Sequence, residues 1–129
     1  MRKTEKYQAL TASETLVMKC LWDAEEEMSL ANILEEVNRI YHKDWKYQTV
    51  STFLAKLVQK GFICPQRDGH RVLYKIIVEQ EKYKIQQAQE FVDFWHKGSL
   101  SQFVTTLFHG KEVSKEEIIE LRKIINEMD

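Results

Sequence analysis

The segment from residue 42 to residue 77 most limits what this 129-residue chain can fold into, because it joins a helical repeat to a hairpin. Apolar residues spaced at i, i+3, i+4, i+7 and i+8 predict a helix that begins near Tyr47, and Gly61 is placed to end it. The stripe consists of Val50, Phe53, Leu54, Leu57 and Val58. Strand-like runs at 62–64 and 72–77 follow, and Asp68-Gly69 between them is expected to supply the positive φ angles of a tight turn.

Helices are expected on both sides of this segment. Thr11 and Glu14 have the spacing of a capping box, Ser29 can cap a second helix, and Ser114 begins another box. Three helices followed by a two-stranded ribbon is the order of a winged helix-turn-helix. Helical runs at 79–96 and 100–108, and a further one after Ser114, complete the chain. We therefore predict a mainly α fold with a small β-hairpin wing: a winged-helix domain over residues 1–78 and a helical domain over residues 79–129.

Charge is concentrated in the same segment. Residues 42–75 contain seven lysines and arginines and two acidic residues, Asp44 and Asp68, so their net charge is +5. Because the whole chain has a net charge of −1, the other residues sum to −6. A pI near 6.4 ordinarily argues against a nucleic-acid partner. A phosphate backbone responds to the local field, however, and the local charge favours double-stranded DNA.

Candidate DNA contacts lie on the polar face of the third helix and around the hairpin turn. Glutamine can pair with adenine, serine and threonine can contact phosphates or thymine methyl groups, and basic side chains neutralise phosphates. Lys60, at the end of the helix, suits a phosphate better than a base. The alternative is an ordinary solvated helix face beside a charged turn. The predicted DNA-binding residues are Lys43, Lys46, Tyr47, Gln48, Thr49, Ser51, Thr52, Lys56, Arg67, His70 and Arg71.

The last 51 residues predict a second copy of the chain as a partner. A core of so few residues rarely supports itself, and its apolar stripes would leave an exposed patch larger than soluble proteins tolerate. Burial against an identical chain removes the patch, and a two-fold pair can bind both halves of an inverted repeat. The predicted dimerisation residues are Phe91, Trp95, Leu100, Phe103, Val104, Leu107, Phe108, Ile118, Leu121 and Ile125.

Other functional classes have little support. The chain has no Gly-rich phosphate loop, no G-x-S-x-G and no H-E-x-x-H, so we expect neither an enzyme nor a cofactor. Cys20 and Cys64 are expected to be reduced, and His96 and His109 match no compact metal motif. No apolar run approaches the roughly 20 residues of a membrane span, so a cytoplasmic protein is expected. Trp45 either packs or orients the start of the third helix.

These segments resemble a bacterial family, the penicillinase and methicillin-resistance repressors with their copper-transport relatives. The resemblance implies a winged-helix domain and a helical dimerisation domain, in a repressor that holds an operator closed until a signal releases it. In the antibiotic branch, a membrane sensor protease system is the implied partner. The matching segments are Leu10–Glu14, Val17–Trp22, Trp45–Val50, Leu54, Leu57–Ile63, Arg67–Tyr74, Gly98–Leu100 and Ser114–Arg122.

Both family routes of induction depend on features that this chain lacks. Antibiotic-branch repressors are cleaved near an asparagine-phenylalanine bond, which is absent from Phe103–Phe108, and the copper branch ends in a cysteine-rich site, whereas no cysteine follows Cys64. Gln48 and Ser51 occupy positions where antibiotic-branch relatives often carry basic residues, which implies a different operator preference. We expect a homodimeric repressor whose third helix enters the major groove; the alternative is a winged-helix protein-interaction module that does not bind DNA.

Overall fold

The structure, a computed structural model, describes residues 6–128. Within this range the chain forms two compact units, one up to Gln86 and one from Gln87. The sequence-based boundary after residue 78 lies just before α4, whereas the units divide within that helix. The predicted fold class, mainly α with a hairpin wing, is confirmed. The elements are α1 (Ala12–Asp23), α2 (Leu30–Tyr41), α3 (Tyr47–Gln59), β1 (Ile63–Asp68), β2 (Arg71–Ile76), α4 (Gln80–His96), α5 (Leu100–Gly110) and α6 (Lys115–Glu127).

Side-chain caps determine where several helices begin. Thr11 Oγ1 accepts from the Glu14 backbone N–H at 3.2 Å, and Glu14 Oε1 accepts from the Thr11 N–H at 2.9 Å, so the predicted capping box is present. Ser29 Oγ accepts from the Asn32 N–H at 3.2 Å. Ser114 Oγ accepts from the Glu117 N–H at 3.1 Å, which is the serine half of the predicted box. Each cap satisfies a backbone donor that would otherwise lack a partner, so local sequence sets these starts.

One hydrophobic core joins α1, α2, α3 and the base of the hairpin. The side chains that fill it lie at helical spacing on the inner face of each helix, as the sequence pattern predicted. Val58, at the edge of the α3 stripe, remains 36% exposed. The large apolar side chains that are fully buried are those of Met18, Ile33, Leu54, Leu57, Phe62, Ile63, Val17, Val37 and Val50.

The hairpin turn lies one residue later than the Asp-Gly motif predicted. Asp68 pairs with Arg71 in the antiparallel ladder, so the two turn residues are Gly69 and His70. Gly69 has φ +66°, and Asp68 is not among the positive-φ residues of the described chain. The prediction that Asp68 supplies a positive φ angle is therefore wrong: a glycine in the first turn position suits a type II′ hairpin, and Asp68 remains in the strand.

Two contacts fix the base of this hairpin to the core. Tyr74 N–H donates to Met28 O at 3.0 Å, forming a bridge between β2 and the residue before the α2 cap. The backbone N–H groups of Ile77 and Val78 both donate to Phe62 O, at 2.8 and 3.2 Å. The Met28 bridge was not predictable from sequence, since a single isolated bridge has no periodic pattern.

The first turns of α4 belong to the N-terminal unit. Tyr83 is only 6% exposed, and its ring lies 5.2 Å from that of Phe62 and 5.8 Å from that of Trp22. Trp22 Nε1 donates to Val78 O at 2.9 Å. Tyr7 donates its N–H to Gln86 Oε1 at 2.8 Å and accepts from Gln86 Nε2 at 2.9 Å. The segment before α1 and the start of α4 are thus bonded to each other.

The C-terminal unit has a much smaller interior. In the described chain no residue of α5 or α6 is buried. His96 is 8% exposed and lies against Phe91 and Phe103, with ring centroids 6.3 and 5.5 Å away. No helix among residues 6–128 has the length and apolar character to span a membrane.

Candidate nucleic-acid interface

The polar face of α3 is directed away from the core. Because one side of the helix is buried, rotation by 100° per residue places Gln48, Thr52, Ala55 and Gln59 within about 60° of one another on the opposite side. All four are exposed. The predicted contacts Thr49 and Ser51 flank this stripe and are half-buried. We call Gln48, Thr52, Ala55 and Gln59 the neutral stripe.

Asn38 holds the connection that precedes α3. Its Nδ2 donates to Trp45 O at 3.1 Å, and its Oδ1 accepts from the Trp45 N–H at 3.0 Å. The Trp45 ring lies 5.0 Å from Phe53, so this tryptophan packs and at the same time orients the start of the helix. This role of Asn38 was not predicted, because an asparagine within a helix gives no sign of its partner seven residues away.

Exposed basic side chains lie in the connection before α3, on α3 itself and on β1. Lys43, Lys56 and Arg67 are exposed and form no ion pair within residues 6–128. Lys46 lies 3.5 Å from Asp44, and the pair is almost fully exposed. Ion pairs in solvent contribute little, so Lys46 can exchange its aspartate for a phosphate.

Lys60 differs from these cations. Its Nζ donates to Glu14 Oε1 at 2.5 Å and to Ala9 O at 3.0 Å. The Glu14 side chain is 1% exposed and that of Lys60 is 21% exposed. The structure therefore gives Lys60 an internal ion pair where the sequence predicted a phosphate contact.

The same pair changes the acidity of Glu14. Burial alone raises the pKa of this carboxyl, but the hydrogen bonds from Lys60 and Thr11 and the positive charge of Lys60 outweigh it. The pKa of Glu14 consequently lies below its ordinary value. The carboxylate is charged at neutral pH despite its burial.

The wing presents its charged residues at the tip. Arg67, His70 and Arg71 are all exposed, and Arg71 lies 3.6 Å from Asp68. At the base of the wing, burial and, to a smaller extent, Tyr47 raise the pKa of Tyr74. The predicted wing residues thus lie in solvent, beyond the part of the hairpin that packs on the core.

The structure brings five of the predicted dimerisation residues, Phe91, Trp95, Leu100, Phe103 and Leu107, to the walls of two apolar grooves in the C-terminal unit. Phe91 and Phe103 pack edge to face at 5.9 Å, and open grooves of about 570 and 540 Å³ flank this pair. All ten predicted residues are exposed or half-buried in the single chain. Three further apolar residues of this unit, Phe94, Ile119 and Ile124, are 77%, 62% and 50% exposed and were not among the predicted residues. The ten are Phe91, Trp95, Leu100, Phe103, Val104, Leu107, Phe108, Ile118, Leu121 and Ile125.

Comparison with known proteins identifies the family. The model of the penicillinase repressor family matches residues 10–127. The chain belongs to the penicillinase repressor family. The methicillin resistance regulatory protein MecI of Staphylococcus aureus (strain N315) is 31% identical over 117 residues, which cover 91% of this chain and 93% of the relative. The penicillinase repressor of Bacillus licheniformis is 24% identical over 123 residues, 95% of this chain and 94% of that protein. The resemblance found in the sequence is confirmed.

Solved structures agree with the fold of this penicillinase repressor family member. The DNA-binding domain of the repressor BlaI matches with a TM-score of 0.52 at 21% identity, covering 62% of this chain and 94% of that domain. The Bacillus licheniformis BlaI monomer in complex with the blaP half-operator matches with a TM-score of 0.51 at 22% identity, covering 60% and 92%. The hsRosR-S1 complex matches over 92% of this chain and 90% of that one, with a TM-score of 0.56 at 18% identity.

Proposed function

We propose that this chain is a homodimeric transcriptional repressor that binds an inverted-repeat DNA operator. The observation that carries the proposal is the exposed neutral stripe of α3, on a helix that also carries exposed Lys56, with exposed Lys43 before it and exposed Arg67 after it in the chain. A major groove about 12 Å wide admits a helix whose outer side chains are small or hydrogen-bonding. Gln48 would then contact base edges, while the basic side chains neutralise phosphates.

The wing completes this arrangement. With α3 in the major groove, Arg67, His70 and Arg71 would contact the flanking backbone or the minor groove. The blaP half-operator bound by BlaI is DNA, and BlaI shares this fold. That relationship supports DNA as the ligand of the present chain.

The C-terminal unit would bind the second copy of the chain. Trp95 and Leu100 are 64% and 61% exposed in the single chain. Contact between so much apolar surface and water is unfavourable in free energy. Burial against an identical surface produces a two-fold pair whose α3 helices bind half-sites about one helical turn apart, near 34 Å or a multiple of it. The family resemblance adds a membrane sensor protease system as a partner, and the proposal does not include cleavage at an asparagine-phenylalanine bond, because Phe103–Phe108 lacks one. We place the repressor in the cytoplasm and assign it no catalytic activity.

Selection of duplexes from a random pool, followed by fluorescence anisotropy, tests the proposal. Gln48→Ala should change the ranking of the selected duplexes, because a glutamine that pairs with adenine discriminates between bases. Gln87→Ala is the matched control, since Gln87 is an exposed glutamine in the C-terminal unit, and it should leave the ranking unchanged. An unchanged ranking in Gln48→Ala contradicts the base contact. Absence of DNA binding at low salt by the folded protein favours the alternative, a winged-helix module that binds another protein.

A further inference from the structure

Two lysines at the same end of α3 have opposite surroundings. Lys56, in the last turn, is exposed and has no ion-pair partner in the described chain, whereas Lys60, the C-cap residue, has a side chain that is only 21% exposed. In sequence both look like phosphate contacts on the charged side of a DNA-binding helix. The difference between them arises from a partner 46 residues away.

That partner is buried with its hydrogen bonds satisfied inside the protein. Glu14 Oε1 accepts from both Lys60 Nζ and the Thr11 N–H, and Lys60 Nζ donates a second bond to Ala9 O. A carboxylate that is 1% exposed is costly to bury without a cation, so separating Lys60 from it would leave an unpaired charge. The pair therefore joins the end of α3 to the start of α1 and to the segment before it.

Because Lys60 lies between α3 and the wing, the Glu14–Lys60 ion pair can affect the position of the DNA-binding surface. Lys60 is followed by Gly61, whose φ of +83° turns the chain, and by buried Phe62 and Ile63, from which the wing begins. Asn38 holds the other end of α3 through Trp45. The helix is thus held at both ends.

Loss of the attachment at Lys60 would allow this end of α3 to tilt about the end that Asn38 holds. Gln48 and Gln59 lie about 16 Å apart along the helix, so a tilt of about 5° about the Gln48 end displaces Gln59, in the neutral stripe, by about 1.4 Å. Hydrogen bonds to base edges tolerate a few tenths of an ångström, because they weaken steeply outside the usual distance range. A small rotation is enough to remove a base contact.

We propose that the Glu14–Lys60 pair positions α3 for DNA, and that Lys60 acts on operator binding through the buried Glu14 and not by contacting a phosphate. The inference rests on the proposed DNA-binding function. Glu14 and Lys60 are positioning residues: neither needs to touch the operator, and both set where the neutral stripe lies.

Glu14→Gln separates this role from a phosphate contact, because it keeps the shape of the side chain and removes its charge. If the pair positions α3, the affinity for the selected operator falls roughly tenfold, the value of about one base contact, and discrimination against a scrambled duplex falls with it. If Lys60 instead contacts phosphate, release from Glu14 leaves affinity unchanged or increases it. Either of the latter results overturns the proposal.

The salt dependence of binding supplies the second measurement. Lys56→Met should flatten the slope of log K against log salt by about 0.9, the value of one phosphate contact, whereas Lys60→Met should lower affinity without changing the slope. A flatter slope in Lys60→Met overturns the proposal. Lys60→Arg, which keeps the positive charge, should restore affinity and discrimination towards those of the unmodified protein. Failure to do so contradicts positioning through the charged pair.

Circular dichroism and thermal melting of each full-length variant separate positioning from a purely structural role. Binding is measured well below the unfolding temperature, so that all of the protein is folded. A purely structural pair lowers the unfolding temperature but leaves the affinity of the folded protein unchanged, and that result also overturns the proposal. Failure of the unmodified chain to bind any duplex refutes the proposed function instead, so the two failures are distinguishable.

Discussion

Replacing Trp95 by alanine tests whether the C-terminal unit binds a second copy of the chain. Trp95 is 64% exposed, and its ring lies 5.1 Å from Phe94 and 6.2 Å from Phe91. A tryptophan presents about 250 Å², so about 160 Å² of this side chain contacts water in the single chain. Coverage of half that area by a partner, at about 25 cal/mol/Å², stabilises the interface by about 2 kcal/mol for each protomer.

The two-fold symmetry doubles this effect. Each dimer contains two copies of Trp95, so Trp95→Ala should weaken dimerisation by about 4 kcal/mol, or about three orders of magnitude in the dissociation constant. Sedimentation equilibrium over a range of protein concentrations measures the change. Operator affinity should fall in parallel, because a single α3 binds only one half-site.

Ile40→Ala is the matched control for this experiment. Ile40 is 44% exposed on α2, in the N-terminal unit, and its replacement should leave the dissociation constant unchanged. An equal constant for Trp95→Ala and the unmodified chain, or an unmodified chain that is monomeric at all concentrations, refutes the reasoning from exposed apolar area.

Three further predictions concern the N-terminal unit. Asn38→Ala removes both side-chain bonds to Trp45 and should destabilise the unit by roughly 2 kcal/mol, a fall of roughly 10 °C in unfolding temperature by thermal melting; an unchanged melting temperature contradicts it. The pKa of Glu14 is lower in the folded protein than in the unfolded chain. The ionised carboxylate therefore contributes its full stabilisation at pH values above the ordinary carboxyl pKa, and this stabilisation is lost as the pH falls through the lowered pKa of the folded state. Urea unfolding at several pH values should show this loss in the unmodified protein and not in Glu14→Gln, and equal pH dependence contradicts the assignment. Burial, with smaller contributions from Glu36 and Asp23, raises the pKa of Cys20 to about 11, so a thiol reagent at pH 8 should modify half-buried Cys64 first and Cys20 only after denaturation. Equal rates in the folded protein would show that Cys20 is accessible.

Features encoded by neighbouring residues were predictable from sequence. The Thr11 box and the start of α3 at Tyr47 follow from spacings of three or four residues, which bring side chain and backbone together wherever the helix lies. The hairpin was predictable for the same reason. Its turn was displaced by one residue, because the ladder that pairs Asp68 with Arg71 determines which residues remain for the turn.

Features that depend on distant residues were not predictable. Lys60 has the spacing of a surface lysine, and only the folded chain brings Glu14 to it. Asn38 and Met28 are similar, since each bonds to a residue outside its own segment: Asn38 to Trp45 in the connection before α3, and Met28 to Tyr74 in β2. In the C-terminal unit the apolar pattern predicted the helices correctly. Phe94 lies outside the apolar stripe of its own helix, so the pattern gave no reason to include it, and only the structure shows that it is exposed.

The hairpin combines a buried base with a tip whose side chains do not take part in the core. In β1 only Ile63 is buried, and all residues from Pro65 to Val72 are exposed. Substitutions at the tip, apart from Gly69 with its positive φ, should therefore cost little in folding, as at other surface positions. The tip can therefore vary without loss of the fold, so under the proposed function the wing can change its contacts with DNA while the scaffold stays the same.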